Sequence, residues 1–207
     1  NLDLDSSPNA TTMTTSGTVT ATKDNPSNNF ATMNPLDNFY CGATFSNGNT
    51  KVVTGSGVYA PVFGTLGVNA SKWYWEVKLK AVGATYAGAL IGVASSQTTA
   101  AAQELGHNAN DYGFYGQDGK IRNNDAYATY GSAYAVSDII GVALDVTNNK
   151  LYFSKNGVWE NSGDPTSGAT GTGAVSITIG TLDSWFPSAS YWDSGTGTYE
   201  FNFGNPP

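Results

Sequence analysis

The stretch KWYWEVKLK, residues 72–80, alternates strictly between two kinds of side chain. Its odd positions are apolar, with Trp73, Trp75, Val77 and Leu79, and its even positions are lysine, tyrosine and glutamate. Successive side chains of a β-strand point to opposite faces, so this alternation predicts a strand with one buried face. We therefore expect this part of the chain to lie in a sheet that covers a hydrophobic core, with the apolar set inward.

The alternation places Glu76 on the more hydrated face, between Tyr74 and Lys78. A carboxylate among aromatic rings could be a catalytic acid, but glycan-cleaving enzymes need two carboxylates roughly 5 to 9 Å apart. Glu76 has no second acid two residues further on, and the other three glutamates are widely dispersed. We expect Glu76 to form an ordinary cross-strand ion pair.

Short strand-like segments recur along the chain from residue 36 onward, without alternating helices or an internal repeat. Asn47-Gly48 is a strong hairpin signal between two of them. This pattern predicts an all-β fold, a sandwich of two antiparallel sheets. One helical turn is predicted at 98–106 and a long small-residue loop at 162–174. The predicted strands are 37–45, 50–55, 72–80, 88–95, 111–117, 138–147, 150–155, 186–192 and 198–204.

Residues 1–35 have a different composition, rich in Thr, Ser, Asn, Asp and Pro. Such a composition is typical of an arm or linker, in which 16–22 could form an edge strand. Residues 36–207 then make up the sandwich domain. Because the sequence begins with Asn1 rather than Met, we expect a piece of a longer or processed protein.

Net charge and the length of the apolar runs exclude two classes of partner. The net charge is −7 and the chain has a single arginine, so a phosphate backbone would be repelled and we expect no nucleic-acid binding. No apolar run approaches the ~20 residues that cross a bilayer, so we expect no membrane insertion.

The residues that carry catalytic or metal chemistry are sparse. Cys41 and His107 are the only cysteine and histidine, which excludes an intrachain disulfide and argues against a structural zinc site. No G-x-S-x-G elbow accompanies His107, and no glycine-rich phosphate-binding motif is present. Asp111, Asp118 and Asp125 recur every seven residues and could offer oxygens to calcium, but the spacing does not match an EF-hand. We expect no catalytic residue, no metal and no cofactor.

Tyrosines and tryptophans in or beside the predicted loops are the better candidates for function. Exposed Tyr and Trp are common anchors of protein and sugar interfaces, although packing within the loop is an alternative for each. These residues are Tyr59, Tyr127, Tyr130, Tyr134, Trp159, Trp185 and Trp192.

Five motifs in a fixed order resemble the SPRY domain. They are KWYWEVKL (72–79), ALIGVAS (89–95), DIIGVALDVTNNKLYFSKNG (138–157), FPSASYW (186–192) and YEFNFG (199–204). The resemblance implies a concanavalin-like bent β-sandwich that acts as a binding module, usually for proteins, through loops at one end. The upstream segment NPLDN…GATFSNGNTKVV is similar to SPRY segments of predicted virion proteins of marine bacteriophages.

The resemblance also implies where a ligand binds. Trp192-Asp193 stands where protein-binding SPRY domains often place a loop contact, and the loop 107–112 and the turn 58–61 resemble further contact segments. We expect these three segments to converge at one rim of the sandwich. The predicted ligand-binding residues are Tyr59, His107, Asn108, Asp111, Trp192 and Asp193.

The combined expectation is a non-catalytic binding module of a virion protein, such as a tail fibre or surface appendage. It would recognise a host surface molecule or a neighbouring virion protein, and a homo-oligomer is compatible with this role. One alternative is a lectin-like module that binds glycans through loop aromatics. Another is a purely structural capsid or decoration subunit.

Overall fold

The computed structural model describes residues 30–83 and 88–204, and the sandwich occupies Ala31–Phe203. No α-helix occurs within the described residues, and none of their helical turns could span a membrane. Two short 3-10 turns span Glu160–Ser162 and Gly168–Thr170. The strands are β1 Thr44–Ser46, β2 Lys51–Val53, β3 Val62–Phe63, β4 Lys72–Val82, β5 Ala89–Ala94, β6 Asp111–Tyr115, β7 Lys120–Asn123, β8 Ala126–Thr129, β9 Ile139–Asp145, β10 Lys150–Lys155, β11 Val158–Trp159, β12 Val175–Ser176, β13 Phe186–Tyr191 and β14 Gly197–Asn202.

The strands form two antiparallel sheets, which confirms the predicted all-β sandwich. The eight-stranded sheet has the order β1-β2-β14-β4-β9-β10-β11, and β12 also pairs with β10. The six-stranded sheet has the order β3-β13-β5-β6-β7-β8. Since sequence neighbours such as β4 and β5 lie in different sheets, the chain crosses between the layers several times.

Strand β4 occupies the middle of the eight-stranded sheet and supplies much of its core face. Trp75, Val77 and Leu79 are buried, which confirms the inward face that their alternation predicts. Trp73 belongs to the same alternation but is 47% exposed, because it lies near the N-terminal end of β4. Its indole N–H donates a hydrogen bond to the carbonyl of Ala70, 2.7 Å away. The expectation that Trp73 packs inward is therefore wrong.

Glu76 lies on the outer face of β4, as predicted, but it does not form the expected ion pair. The Tyr74 hydroxyl donates to Glu76 Oε1 at 2.9 Å, and the Asn202 amide lies 3.4 Å from Oε2. The residues opposite Glu76 on the neighbouring strands are Gly141 and Asn202, so the sheet register brings no lysine across from it.

Replacing Glu76 with glutamine should lower the free energy of unfolding by at most about 1 kcal/mol, because only hydrogen bonds on a partly hydrated surface change. Urea denaturation would measure the loss, with Tyr74→Phe as the matched variant that removes the same hydrogen bond from its other side. A glycan-cleaving activity that disappears in Glu76→Gln would instead make Glu76 a catalytic acid.

Two predicted elements differ in the structure. Of the predicted strand 37–45 only its last residues enter β1, because the Asn38 side chain closes a turn instead. Its amide donates to the Ala43 carbonyl and its Oδ1 accepts from the Ala43 N–H, both at 2.7 Å. Residues 98–106 form turns rather than a helical turn. Strands β3, β7, β8, β11 and β12 were not among the predicted strands.

The predicted domain boundary at residue 35 remains a prediction, because the candidate edge strand 16–22 lies outside the described residues. Met33, near the end of the predicted arm, is fully buried in the core and forms a β-bridge with Gly64. The core therefore takes in at least one side chain from the last residues of that arm.

Candidate ligand-binding surface

A loop crosses the outer face of the six-stranded sheet and gives this face a core of its own. Leu105 is buried there against side chains that point away from the main core. The Leu105 N–H donates to Ser190 Oγ at 2.9 Å, which ties the loop to β13. Gly113 permits this approach, since a Cβ at that position would lie 3.0 Å from the Leu105 carbonyl oxygen. The buried neighbours of Leu105 are Phe63, Leu90, Ala94 and Tyr115, and Phe186 packs against them.

Four aromatic side chains line up beside this loop, and we call them the aromatic row. Trp192 follows β13 directly and is 42% exposed. Its ring centroid lies 6.4 Å from that of Tyr59 and 6.3 Å from that of Tyr115. The Tyr115 ring in turn lies 5.7 Å from Tyr127. Because ring pairs at these separations attract one another, the row is a defined surface rather than a set of independent side chains.

Strand alternation explains why the row lies on one face. Phe114 points into the main core, so Tyr115 points outward. Arg122 and Tyr127 are direct partners in the β7–β8 pairing and share a face. The Arg122 guanidinium lies 5.3 Å from the centre of the Tyr127 ring, a cation–π contact that joins the row to a group of charges.

The charged group begins at Arg122, which is buried although its side chain is ionic. Arg122 pairs with the buried Glu104 of the crossing loop and with Asp125, whose Oδ1 lies 2.6 Å from the guanidinium. His107 Nδ1 lies 3.0 Å from the same Asp125 oxygen. Contacts therefore run without interruption from Tyr59 to His107. These two residues belong to two of the segments that the sequence predicts to converge.

Two acid–base properties follow from this arrangement. Burial opposes ionisation of Asp125, but the hydrogen bond from Arg122 and the charge of His107 outweigh it and lower the pKa of this carboxyl. Burial, reinforced by the neighbouring Tyr127 and Asp118, raises the pKa of Tyr115. Tyr115 therefore stays a neutral phenol, and its hydroxyl donates to Gln117 Oε1 at 2.6 Å.

Two of the predicted ligand-binding residues, the buried Asp111 and the half-buried Asn108, are joined by a hydrogen bond that supports the loop. Asp111 is 1% exposed and accepts hydrogen bonds from the Ser96 hydroxyl at 2.6 Å and the Asn108 amide at 2.8 Å. Burial raises the pKa of Asp111, while these hydrogen bonds counteract the rise. A ligand would reach Asp111 only if the loop opened, so we leave Asp111 out of the surface, while a ligand contact at the half-buried Asn108 stays a prediction.

Asp193 lies beside Trp192 and is half-buried. Its Oδ1 accepts from the Ser194 N–H at 2.6 Å, which fixes the chain direction just after Trp192. Four residues of the predicted set, Tyr59, His107, Trp192 and Asp193, thus remain at or beside the row.

Sequence reasoning missed three members of the surface. Tyr115 and Arg122 lie in strands and Glu104 lies in the crossing loop, and none of them was a candidate. The alternation in DYGFY already places Tyr115 opposite Phe114. Not all of the predicted loop aromatics are available to a ligand. Tyr130, Tyr134 and Trp185 are buried in the main core.

The three regularly spaced aspartates do not act together. Asp118 pairs with Lys120 at 2.6 Å, Asp125 pairs with Arg122, and Asp111 binds its own loop. Within the part of the chain that the structure describes, no three His, Cys, Asp or Glu side chains are grouped as a metal site would require.

Comparison with known proteins gives three findings. The family described as SPRY domain matches residues 72–182, just over half of the chain. An ATP-dependent RNA helicase, DDX1 of Xenopus laevis, is 36% identical over 93 residues, which is 45% of this chain and 12% of the helicase. The crystal structure of the SPRY domain of human HERC1 shares the fold, with a TM-score of 0.63 and 14% identity over 80% of this chain and 94% of that one.

Proposed function

The chain belongs to the SPRY family, and we propose that it is a non-catalytic module whose protein partner docks on the aromatic row. SPRY domains are generally non-catalytic protein-interaction modules. The observation that carries the proposal is Trp192, a large side chain that is 42% exposed yet held between Tyr59 and Tyr115.

Trp192 has the features of a binding hot spot. Its backbone N–H donates to the Gly88 carbonyl at 2.8 Å, and its ring packs edge-on against the buried Tyr115. A ring that is already fixed loses little conformational entropy when a partner covers it, and it brings a large contact area. Hot spots at protein interfaces are enriched in Trp and Tyr for this reason.

The surroundings of the row suit the margin of a protein interface. Asp193 adjoins Trp192, and Arg122 links the Tyr127 end of the row to the Asp125–His107 pair. Partly exposed polar groups around an aromatic centre match the usual division between an apolar centre and a polar rim. Such groups contribute more to specificity and association rate than to affinity.

We further propose that the module belongs to a virion protein, such as a tail fibre, and recognises a host surface molecule or a neighbouring virion protein. The support is the resemblance, inferred from the sequence alone, of NPLDN…GATFSNGNTKVV to SPRY segments of predicted phage virion proteins. Mass spectrometry of purified particles, with antibody labelling of this domain, would test the location. Absence of the chain from purified particles would refute the virion assignment.

The partner can be captured directly. A photoreactive benzoyl-phenylalanine at position 192 should crosslink to the partner, and excess wild-type protein should compete the crosslink away. Competition by a Trp192→Ala protein should be much weaker. The same photoreactive residue at position 73, a half-exposed tryptophan site on the other sheet, should give no such product.

Once the partner is purified, Trp192→Ala should weaken its binding by about 2 kcal/mol, close to 30-fold, as expected for a hot spot. The melting temperature should change little, because the side chain is nearly half exposed. Isothermal calorimetry and thermal denaturation measure the two quantities. Trp73→Ala is the matched control and should leave binding unchanged. If Trp73→Ala weakened binding and Trp192→Ala did not, the partner would bind the eight-stranded sheet.

A further inference from the structure

The turn before β1 presents large apolar side chains to solvent. Leu36 is 94% exposed and Phe39 is 89% exposed. The ring of Tyr40 packs edge-on against Phe39, with 4.9 Å between ring centroids. We call Leu36, Phe39 and Tyr40 the knob.

The knob stands on an ordered turn. Asn38 clamps the turn through its two hydrogen bonds with Ala43, and Asn34 Oδ1 accepts from the Leu36 N–H at 3.0 Å. These hydrogen bonds involve the side chains of Asn34 and Asn38 and no side-chain atom of Leu36 or Phe39. Polar substitutions at 36 and 39 should therefore leave the turn intact. Large apolar side chains that are exposed together on one turn mark interaction sites.

An apolar depression lies elsewhere on the eight-stranded sheet, on its outer face. Ala143 of β9 stands directly between Tyr74 of β4 and Tyr152 of β10. The small alanine leaves a gap between the two larger neighbours, and Trp159 and Pro165 wall it. The cavity has a volume of about 240 Å³, enough for one phenyl ring. We call these five residues the socket.

Four polar side chains at the socket already have partners. The Tyr74 hydroxyl is bonded to Glu76, and the Tyr152 hydroxyl lies 3.3 Å from Ser167 Oγ. Lys72 and Asp145 at the margin form an ion pair with 3.2 Å between Nζ and Oδ2. The Tyr74 ring packs edge-on towards Trp159, with 6.2 Å between centroids. An incoming apolar side chain therefore meets ring surfaces, and the polar groups of Tyr74, Tyr152, Lys72 and Asp145 keep their partners.

We propose that the knob of one copy of this chain seats in the socket of another copy. Every copy carries both features, and they match in chemistry, since each is apolar and the socket's marginal charges neutralise one another. The knob turn leads directly into β1, the edge strand of the sheet, whereas the socket lies over β4, β9 and β10. The two features are thus different patches, and their contact is heterologous, as in rings and filaments.

The contact leaves the aromatic row free, because the row lies on the other sheet. Self-association through the knob therefore presents several copies of the row together and raises avidity for a multivalent target. The proposal does not depend on the row being the partner site, and each can fail without the other.

Sedimentation equilibrium from about 1 µM to about 1 mM covers the range expected for a small interface. The whole chain is used in about 0.15 M salt, which screens the repulsion between copies that carry a net charge of −7. Wild type should self-associate within this range. Phe39→Asp should weaken the association at least about tenfold without changing the melting temperature. Val136→Asp, another exposed apolar residue outside both patches, is the matched control and should behave as wild type.

Socket variants complete the test. Trp159→Ala removes a wall and Ala143→Lys fills the floor; either should weaken association, and Ala143→Lys remains informative if Trp159→Ala folds poorly. Mixing labelled Phe39→Asp with unlabelled Ala143→Lys should restore one contact per pair, because one keeps its socket and the other its knob. A wild type that stays monomeric at about 1 mM, or a mixture that does not associate, overturns the proposal.

Discussion

Replacing Trp75 with alanine is expected to lower the free energy of unfolding by about 3 to 5 kcal/mol, the usual cost of emptying a buried tryptophan site. Trp75 is buried in the middle of β4, where β14 and β9 flank the strand on either side. The surrounding strands cannot collapse into the vacated volume without disturbing both pairings. Since a domain is stable by only about 5 to 15 kcal/mol, the variant should express poorly or melt at a much lower temperature.

Trp73→Ala is the matched control, because it removes the same side chain from the same strand where it is half exposed. Its cost should be well below that of Trp75→Ala in chemical denaturation followed by circular dichroism. Trp75→Phe should fall between the two, since it keeps most of the buried ring. An unchanged melting temperature for Trp75→Ala would mean that β4 turns its other face to the core.

Removing the carboxylate of Glu104 should cost about 3 kcal/mol of stability, near the lower end of the range for breaking a buried ion pair. Glu104→Leu leaves the Arg122 guanidinium buried with Asp125 as its remaining anionic partner. Asp125 is itself half exposed, so it compensates the buried charge only in part. The crossing loop should also loosen, which faster amide hydrogen exchange at Leu105 would report.

The double variant Glu104→Leu/Arg122→Leu separates the charge effect from packing. Replacing both members of a buried pair by apolar residues is often neutral, so the double variant should recover much of the loss. Lys120→Leu tests an exposed pair on the same strand β7 and should cost no more than about 1 kcal/mol. If the double variant lost more stability than the two single variants together, a dominant charge effect would be contradicted.

Local patterns accounted for the strand framework. Asn47-Gly48 lies in the turn between β1 and β2, as predicted, and KLYFSK coincides with β10. The predicted strand 37–45 failed because Asn38 closes a turn through its side chain, an alternative to strand pairing that residue patterns do not reveal. Strand β8 was missed because its four residues are all exposed and carry no alternation.

The sequence by itself determined that this chain forms a two-sheet sandwich, that Trp75 faces its core and that Trp192 is an aromatic candidate beside a strand. These properties depend on residues a few positions apart, whose side-chain directions the backbone imposes. Only the tertiary structure decided that Trp192 meets Tyr59 and that Arg122 pairs with Glu104. Those contacts join distant segments, and their existence depends on sheet order, register and the path of one crossing loop, which no local pattern encodes.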